Sequence, residues 1–295
     1  MGRGSSPDSG GREGALEDVA FLARSSNRLA LLRMLGEGPH DRRELRETTS
    51  MSAPTLARIL GEFEDHGWIE RDGGSYRATT AGRLVAGGVL AAVDRADAVR
   101  RLRPLLRAVP TDGPELDVEA LSNARVTVAE PSSPLGPANR FASLTRESET
   151  LREFNAASVQ FFDASVLRTR VEEGRRTELL YERGVVEALL SDHPELLAAL
   201  IDSPAVEVSL RESVPFGLSL FDDRIGVCGY DRESGALTVF VDTDDYEARR
   251  WAERLYESVR SEAMPITNPD PTAIEPSPTR PPETPVEFGP VPLDR

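Results

Sequence analysis

The amino-acid sequence predicts an α+β domain followed by an α/β domain, with a helix between them and a disordered segment at each end. Three observations lead to this prediction. Helix patterns and a glycine-rich hairpin pattern follow one another over residues 18–82. Strand and helix patterns alternate over residues 117–264. The two ends are rich in glycine, serine or proline, which disfavour regular structure.

The composition excludes several classes of protein. The chain has 295 residues, and its 35 basic and 50 acidic side chains give a net charge of -15, which excludes a globally basic protein that coats nucleic acid. All 35 basic residues are arginines, because the sequence contains no lysine. A phosphate-binding loop with its lysine, a Schiff base on lysine and a catalytic pair of histidine and lysine are therefore excluded.

The charge is distributed unevenly along the chain. Residues 18–90 contain ten arginines and ten acidic residues, so this segment is neutral and the other residues carry the whole charge of -15. A neutral, arginine-containing segment within an acidic chain is where an anionic partner would bind.

The first part of the chain reads as disordered residues followed by two helices. Residues 1–17 are mostly Gly, Ser and charged residues. Residues 27–35 form the first predicted helix, with Ser25 or Ser26 as its N-cap and Gly36 and Gly38-Pro39 as its end. A second, short helix is predicted from Arg42 to about Thr48, with Asp41 at its N-terminus.

The third helix and the hairpin after it have the clearest pattern. Ser52 is a strong N-cap residue, and Pro54 suits the first turn. The predicted inner face consists of Leu56, Ile59, Leu60 and Phe63, and the predicted outer face of Thr55, Arg58, Glu62 and Asp65. Gly67 ends the helix, and residues 68–71 and 75–78 then form two strands around the turn at Asp72-Gly73-Gly74.

Two helices, a turn, a third helix and a hairpin are the element order of a winged helix-turn-helix over residues 18–82. The sequence here resembles haloarchaeal transcriptional regulators, which implies binding to double-stranded DNA. The residues that carry the resemblance are Phe21-Leu22-Ala23-Arg24-Ser25, Ser52-Ala53-Pro54-Thr55-Leu56, Gly67-Trp68-Ile69-Glu70 and Thr80-Ala81-Gly82.

A winged helix-turn-helix inserts the N-terminal part of its third helix into the major groove. The residues predicted to contact DNA are therefore Ser52, Pro54, Thr55 and Arg58 on that helix and Arg71, Ser75 and Arg77 on the hairpin. Arg58 is the predicted base reader, since a guanidinium can bond guanine O6 and N7 together. The alternative for Arg58 is an i, i+4 ion pair with Glu62. Arg42, Arg43 and Arg46 either touch phosphates or form a solvated face.

A connecting helix is predicted over residues 83–109. It begins after Thr79 or Thr80, and Pro104 should bend or end it. Small and apolar residues recur along it at spacings of three or four, and this seam either packs against the chain's own domains or pairs two copies in a homodimer. The seam residues are Val85, Val89, Ala92, Ala96, Val99, Leu102 and Leu106.

The second domain, residues 117–264, is predicted to be an α/β effector domain. Strands are predicted at 124–129, 176–181, 206–211, 217–221, 224–230 and 237–242, and helices at 156–173, 185–190, 195–201 and 246–263. This half resembles the C-terminal domain of archaeal methanogenesis and sugar-responsive regulators, which implies a sheet like that of phospholipase D. The resemblance is carried by Val214-Pro215-Phe216-Gly217-Leu218, Asp222-Asp223-Arg224 and Trp251-Ala252-Glu253.

Catalysis of the phospholipase kind needs paired histidine and lysine, and this domain contains His193 alone, in a predicted loop. Asp222-Asp223 is interpreted as a turn and Cys228 as a buried, inert thiol. We therefore expect no enzyme activity, no cofactor and no metal site. A small-molecule effector is expected near strand ends, with Tyr181, Arg211 and Tyr230 as candidate contacts.

The sequence as a whole predicts a cytoplasmic, DNA-binding transcriptional regulator that forms a homodimer, with a disordered, proline-rich tail over residues 265–295. No apolar run is long enough to cross a membrane, since the longest, residues 84–93, has ten residues. The acid excess without lysine is similar to proteins of salt-loving archaea, although drift in a GC-rich genome would give the same composition. The alternative function is a transcription-associated scaffold whose winged helix binds protein.

Overall fold

The computed structural model describes residues 9–111, 113–155, 164–231 and 234–267. The chain forms two compact units, and the boundary between them lies between Asp97 and Ala98. Residues 1–8 and 268–295, which belong to the two predicted disordered ends, lie outside the described residues.

The first unit contains the predicted order of helices and hairpin, with one helix and one strand added. A three-stranded antiparallel sheet of order β1-β3-β2 stands beside the helices. The elements are α1 (Ser9–Ala23), α2 (Ser26–Glu37), β1 (His40–Asp41), α3 (Arg42–Thr49), α4 (Ala53–Asp65), β2 (Ile69–Asp72), β3 (Ser75–Ala78) and α5 (Thr80–Ala108).

Side-chain caps fix the starts of α3 and α4. Asp41 accepts hydrogen bonds from the backbone N–H groups of Arg43 and Glu44, and the Glu44 carboxylate accepts one from Asp41 N. Ser52 accepts one from Thr55 N. These caps satisfy N–H groups that have no partner within the helix, so both predicted helix starts are confirmed.

The core of the first unit follows the predicted apolar pattern. Leu56, Ile59, Leu60 and Phe63 of α4 are all buried. They pack with the leucines of α2, with Leu45 of α3 and with Trp68 and Tyr76 of the sheet. The helix α2 continues through Gly36 and ends at Glu37, one residue before Gly38.

The predicted disorder of residues 1–17 is wrong for residues 9–17, which belong to α1. The last turns of α1 explain why this glycine-rich segment becomes helical. Leu22 is fully buried in the core of the first unit. Phe21 packs edge-on against Phe63, and Asp18 Oδ1 lies 3.0 Å from His66 Nδ1. Burial of these residues stabilises a helix that local propensity alone disfavours.

Glycines at three positions allow the hairpin and α5 to form. Gly73 and Gly74 have φ values of 57° and 106°, the left-handed region that a tight hairpin turn needs. Gly82 meets the start of the hairpin, where a Cβ would lie 2.1 Å from the Trp68 carbonyl oxygen. The α5 helix can therefore approach the sheet this closely only with glycine at position 82.

The connecting helix α5 begins at Thr80 as predicted and continues through Pro104 to Ala108, so Pro104 does not end it. The seam residues at the two ends of α5 are buried in different units, and exposed residues lie between them. Val89 is buried in the core of the first unit, and Leu102 is buried in a core of the second. Residues 91–97 are exposed, and Val99 is 41% exposed. Packing against the chain's own units therefore accounts for the two ends of the seam and leaves its middle uncovered.

The second unit is built on an eight-stranded mixed sheet of order β11-β7-β6-β5-β8-β9-β10-β4. The strands β5, β6 and β7 are parallel neighbours, and the other pairs are antiparallel. The strands are β4 (Arg125–Val128), β5 (Leu151–Asn155), β6 (Thr177–Glu182), β7 (Val206–Arg211), β8 (Gly217–Leu220), β9 (Ile225–Tyr230), β10 (Leu237–Thr243) and β11 (Met264–Pro265). The helices are α6 (Gly136–Glu147), α7 (Ala164–Glu172), α8 (Arg183–Asp192), α9 (Pro194–Asp202) and α10 (Tyr246–Arg260).

Two apolar clusters cover this sheet, and alternate residues of β5 belong to each. Phe154 packs with Trp251 and Leu255 of α10. Leu151 packs with the residues of α6 to α9. The elements α6 and β5 were not predicted from the sequence. The predicted helix at residues 156–173 is present over α7, and its first residues, 156–163, lie outside the described residues. Pro265, predicted to begin the disordered tail, lies instead in the edge strand β11.

A buried arginine of α7 holds α6, the loop that follows α6 and the start of β6 together. The Arg170 side chain is only 2% exposed, and its guanidinium donates to Thr177 Oγ1 at 3.0 Å and to four backbone carbonyl oxygens. Those carbonyl oxygens belong to Thr145, Ser148, Glu149 and Arg176. A guanidinium has five N–H groups, and here they satisfy carbonyl groups that would otherwise be buried without partners.

Candidate nucleic-acid interface

The N-terminal half of α4 presents an exposed polar surface. The Ser52 hydroxyl oxygen lies 2.8 Å from Thr55 Oγ1, in addition to the cap that it provides. Pro54 occupies the first turn, where a missing N–H leaves no carbonyl without a partner. Ser52, Pro54, Thr55 and Arg58 are all exposed. The structure therefore brings these four predicted residues onto one accessible stretch of helix.

Arg58 forms the ion pair that was the alternative to DNA contact. Its Nη1 lies 2.7 Å from Glu62 Oε1, and Arg28 Nη2 lies 3.4 Å from the other carboxylate oxygen of Glu62. The Arg58 side chain is 57% exposed, so this pair is of the weak, solvated kind. A phosphate or a guanine could therefore replace the Glu62 carboxylate as the partner of Arg58 with little loss of free energy.

The hairpin residues differ from one another in their partners. Arg77 Nε lies 2.7 Å from Glu70 Oε1, across the ladder between β2 and β3. Ser75 stands opposite Asp72 in the hairpin and opposite Asp41 of β1. Arg71 forms no ion pair with any residue that the structure describes, and its guanidinium carbon lies 5.7 Å from the centre of the Tyr76 ring.

The short strand β1 was not predicted from the sequence. It pairs with β3, and it thereby places Arg42, the first residue of α3, beside the hairpin. Arg42 Nε donates a 2.9 Å hydrogen bond to the Tyr76 hydroxyl. Two residues are too few for a periodic strand pattern, so only the position of Arg42 at the start of a helix could have been recognised.

The structure brings together two of the three candidate ligand residues in the second unit. The Tyr181 hydroxyl donates a 3.3 Å hydrogen bond to Glu153 Oε1, and the Tyr230 hydroxyl donates a 2.6 Å hydrogen bond to Asn155 Oδ1. Glu153 and Asn155 lie two residues apart on β5 and so point to the same face of the sheet. The third candidate, Arg211, forms an ion pair with Glu262.

Glu153 is a buried acid near the middle of the sheet, and it was not singled out from the sequence. Its side chain is 1% exposed, and its second carboxylate oxygen lies 3.5 Å from the Ser219 hydroxyl. Burial raises the pKa of Glu153 to about 7, although the hydrogen bond from Tyr181 opposes the shift. Burial, and then the nearby charge of Glu153, raises the pKa of Tyr181 well above its usual value. The sequence of β5 gives no sign of a buried acid, because glutamate is ordinarily exposed to solvent.

The other candidate reactive groups lie in structural settings. Asp222-Asp223 connects β8 to β9 as predicted, and Phe221 N donates a 2.8 Å hydrogen bond to the Arg224 carbonyl oxygen across this connection. The Asp222 carboxylate accepts hydrogen bonds at 2.6–2.8 Å from the segment before β5, namely from Glu149 N, Thr150 N and Thr150 Oγ1. Cys228 is buried, and burial raises the pKa of its thiol to about 12. His193 lies between α8 and α9, in the predicted break between two helices.

Within the described residues, no group of three His, Cys, Asp or Glu side chains is arranged to hold a metal ion. Over the same residues, none of the helices combines the length and the apolar character needed to span a bilayer.

These observations define the class of the protein. It is a mixed α/β protein with an exposed, capped helix beside a small hairpin sheet in its first unit and a large mixed sheet in its second unit. Comparison with known families gives two matches. Residues 16–101 match the HVO_A0261 N-terminal domain. Residues 134–262 match the middle domain of the methanogenesis regulatory protein FilR1. The chain is therefore similar to archaeal transcription regulators in both of its units.

Three solved structures also show partial similarity. TrmBL2, an archaeal chromatin protein, has a TM-score of 0.39 and 12% identity, over 85% of this chain and 99% of that one. NucT from Helicobacter pylori has a TM-score of 0.40 and 14% identity, over 49% of this chain and 99% of that one. Nuc from Salmonella typhimurium, a phospholipase D family member, has a TM-score of 0.38 and 9% identity, over 50% of this chain and 99% of that one. No curated protein matches the chain.

Proposed function

We propose that the chain is a transcription regulator that binds double-stranded DNA at specific sequences. Its first unit acts as a winged helix-turn-helix, in which α4 enters the major groove and the hairpin of β2 and β3 contacts the adjoining backbone. Its second unit does not catalyse a reaction. It binds a small-molecule effector and changes the affinity for DNA.

The observation that carries this proposal is the surface at the start of α4. The Ser52 hydroxyl caps the N-terminus of the helix and contacts the Thr55 hydroxyl. Arg58 lies about one turn further along the helix, and its side chain is exposed. A guanidinium at this position can form two hydrogen bonds to guanine. Similarity to regulatory families in both units supports the same function.

The proposal that the second unit is not catalytic rests on its residues. The whole sequence contains no lysine, and His193 is the only histidine of this unit. Glu153 and Tyr181 are buried and Tyr230 is partly buried, and their two hydroxyls and one acid favour recognition of a polar ligand over phosphodiester cleavage.

We also propose that the regulator is a homodimer paired through the middle of α5. Residues 91–97 are exposed, and the seam residue Val99 is 41% exposed. Two copies related by a two-fold axis would cover the exposed seam residues Ala92, Ala96 and Val99 and would present two copies of α4 to an inverted repeat.

The test begins with selection of enriched duplexes by the full chain, in potassium chloride from 0.1 M to molar concentrations. Arg58→Ala should then weaken the enriched duplex by about 1 to 3 kcal/mol and leave a random duplex almost unaffected. Arg33→Ala is the matched control, because Arg33 forms the same exposed i, i+4 ion pair with Glu37 on α2.

Equal losses on both duplexes would assign Arg58 to the phosphate backbone. Failure of the wild-type chain to enrich any duplex would refute the DNA proposal and favour the alternative, a scaffold whose winged helix binds protein. Turnover of a phosphodiester substrate that is lost in His193→Ala would refute the proposal that the second unit is not catalytic.

A further inference from the structure

The arginines of the first unit differ in whether they have a carboxylate partner. Five of them form ion pairs with glutamates, and these are Arg28, Arg33, Arg43, Arg58 and Arg77. Arg42 and Arg71 have no carboxylate partner within the described part of the chain. Their charge is therefore available to an external anion, whereas each paired arginine must first give up a glutamate.

Arg42 and Arg71 each lie beside the same aromatic ring, that of Tyr76. The guanidinium carbons lie 5.5 Å and 5.7 Å from the centre of the Tyr76 ring. Tyr76 stands in the central strand β3, directly opposite Arg71 on one side and His40 on the other. Its side chain is 1% exposed, so the ring is held in place by the core.

The tyrosine hydroxyl fixes the Arg42 side chain further. Because Nε donates to the Tyr76 hydroxyl at 2.9 Å, the two terminal nitrogens of the guanidinium remain for another acceptor. The nearest acids along the chain are already engaged, since Asp41 and Glu44 form the reciprocal cap of α3. An arginine that is held before binding loses less side-chain entropy when it meets an anion.

We propose that Arg42 and Arg71, held on the Tyr76 ring, form a phosphate-binding site that anchors the DNA backbone beside α4. The inference rests on the proposed DNA-binding function and adds the contact that positions α4. Two guanidiniums from a helix start and a hairpin suit a phosphodiester, whose non-bridging oxygens accept hydrogen bonds from two directions. Phosphate contacts of this kind set the register of a protein on DNA and carry no sequence preference.

The experiment measures duplex binding by the full chain against potassium chloride concentration, with the enriched duplex and a random one. Arg42→Ala should weaken both duplexes by the same factor, and the slope of log K against log salt should fall in magnitude by about 0.9, the value for one phosphate contact. Because both arginines contact the same phosphate, the double variant with Arg71→Ala should lose little further slope and should bind both duplexes more weakly still. Arg43→Ala is the matched control, because Arg43 is the next residue of α3, is exposed and is paired with Glu47.

Tyr76→Phe separates the role of the hydroxyl from the charge. This variant keeps the ring and both arginines, so we expect the wild-type salt slope with a several-fold weaker affinity for both duplexes. Thermal unfolding of each variant checks that the fold persists. If Arg42→Ala and Arg43→Ala bind both duplexes with the wild-type slope, the anchor is refuted although the wild-type chain still binds DNA.

Inorganic phosphate distinguishes a DNA anchor from a site for a free anion. At constant ionic strength, millimolar phosphate should leave the melting temperature of the wild-type chain unchanged. A free phosphate ion would make this one contact alone, whereas the backbone of a duplex makes many contacts at once. A rise in melting temperature that is lost in Arg42→Ala, together with unaltered duplex binding by that variant, would assign the site to a small anion and overturn the anchor. Absence of duplex binding by the wild-type chain would instead refute the DNA-binding function itself.

Discussion

Replacement of Glu153 by glutamine should change how the stability of the second unit depends on pH. The side chain is 1% exposed, and its hydrogen-bonding partners, Tyr181 and Ser219, are neutral hydroxyls. Arg170 is the cation whose charge acts on it, and this charge lowers the pKa less than burial raises it. Glutamine has nearly the same shape, keeps an acceptor oxygen for Tyr181 and is neutral at every pH.

The expected size of the effect follows from the two pKa values. The pKa of Glu153 is about 7 in the folded chain, compared with 4.5 for an unperturbed glutamate. Because the folded state holds its proton more tightly, stability from the neutral carboxyl is fully present below pH 4.5 and is lost as the pH rises through about 7. Between pH 5.5 and pH 8.5, this linkage corresponds to a loss of about 2 kcal/mol in the wild-type chain. The glutamine variant should not show this loss.

The assay is urea unfolding of the second unit over that pH range. The chain has two tryptophans, Trp68 in the first unit and Trp251 in the second, so a Trp68→Phe background makes fluorescence report on the second unit alone. Glu207→Gln, at an exposed glutamate of β7 in the same sheet, controls for loss of a surface carboxylate. Parallel pH profiles for the wild-type chain and Glu153→Gln would refute the reasoning.

Three further predictions concern packing and assembly. Gly82→Ala should destabilise the first unit by about 1 to 3 kcal/mol in thermal unfolding, because a Cβ would lie 2.1 Å from a backbone carbonyl oxygen, whereas Gly61→Ala, with no atom within 4 Å, should not destabilise it. Arg170→Lys should destabilise the second unit by about 2 to 4 kcal/mol, since an ammonium has three donors and leaves buried carbonyls unpaired; an unchanged urea midpoint would contradict this. Ala96→Glu combined with Val99→Glu should convert a dimer to a monomer in sedimentation equilibrium, and a monomeric wild-type chain would exclude pairing through α5.

The elements of the first unit could be predicted because local signals agree with packing there. Ser52 caps α4, the four apolar residues of its inner face are buried, and Gly73-Gly74 turns the hairpin. The helix α1 could not be predicted, since it depends on burial of Leu22 and on contacts with distant residues. Local propensity cannot anticipate stabilisation that tertiary packing supplies.

In the second unit, the sequence predicted most strands and helices and missed α6 and β5. The α6 helix begins with Gly136-Pro137 after a proline-rich and serine-rich stretch, which reads as a loop. The β5 strand has the sequence LREFN, whose charged residues indicate a surface segment. It lies in the middle of the sheet because Glu153 is satisfied by hydroxyls from neighbouring strands, and only the assembled sheet provides those partners.

The proposed interface also shows why net charge along a segment is a poor measure of the charge that a partner meets. The ten arginines and ten acids of residues 18–90 sum to zero, yet the glutamates neutralise particular arginines and leave others free. The helix pattern favours Arg58, which is paired with Glu62, and leaves two roles open for Arg42, which has no carboxylate partner in the described residues. The part of the affinity that arises from release of counterions should therefore depend on the arginines without a carboxylate partner. Sequence specificity should depend on the residues of α4. The two kinds of variant separate these contributions, because loss of Arg42 should change the salt slope on every duplex and loss of Arg58 should change the preference among duplexes.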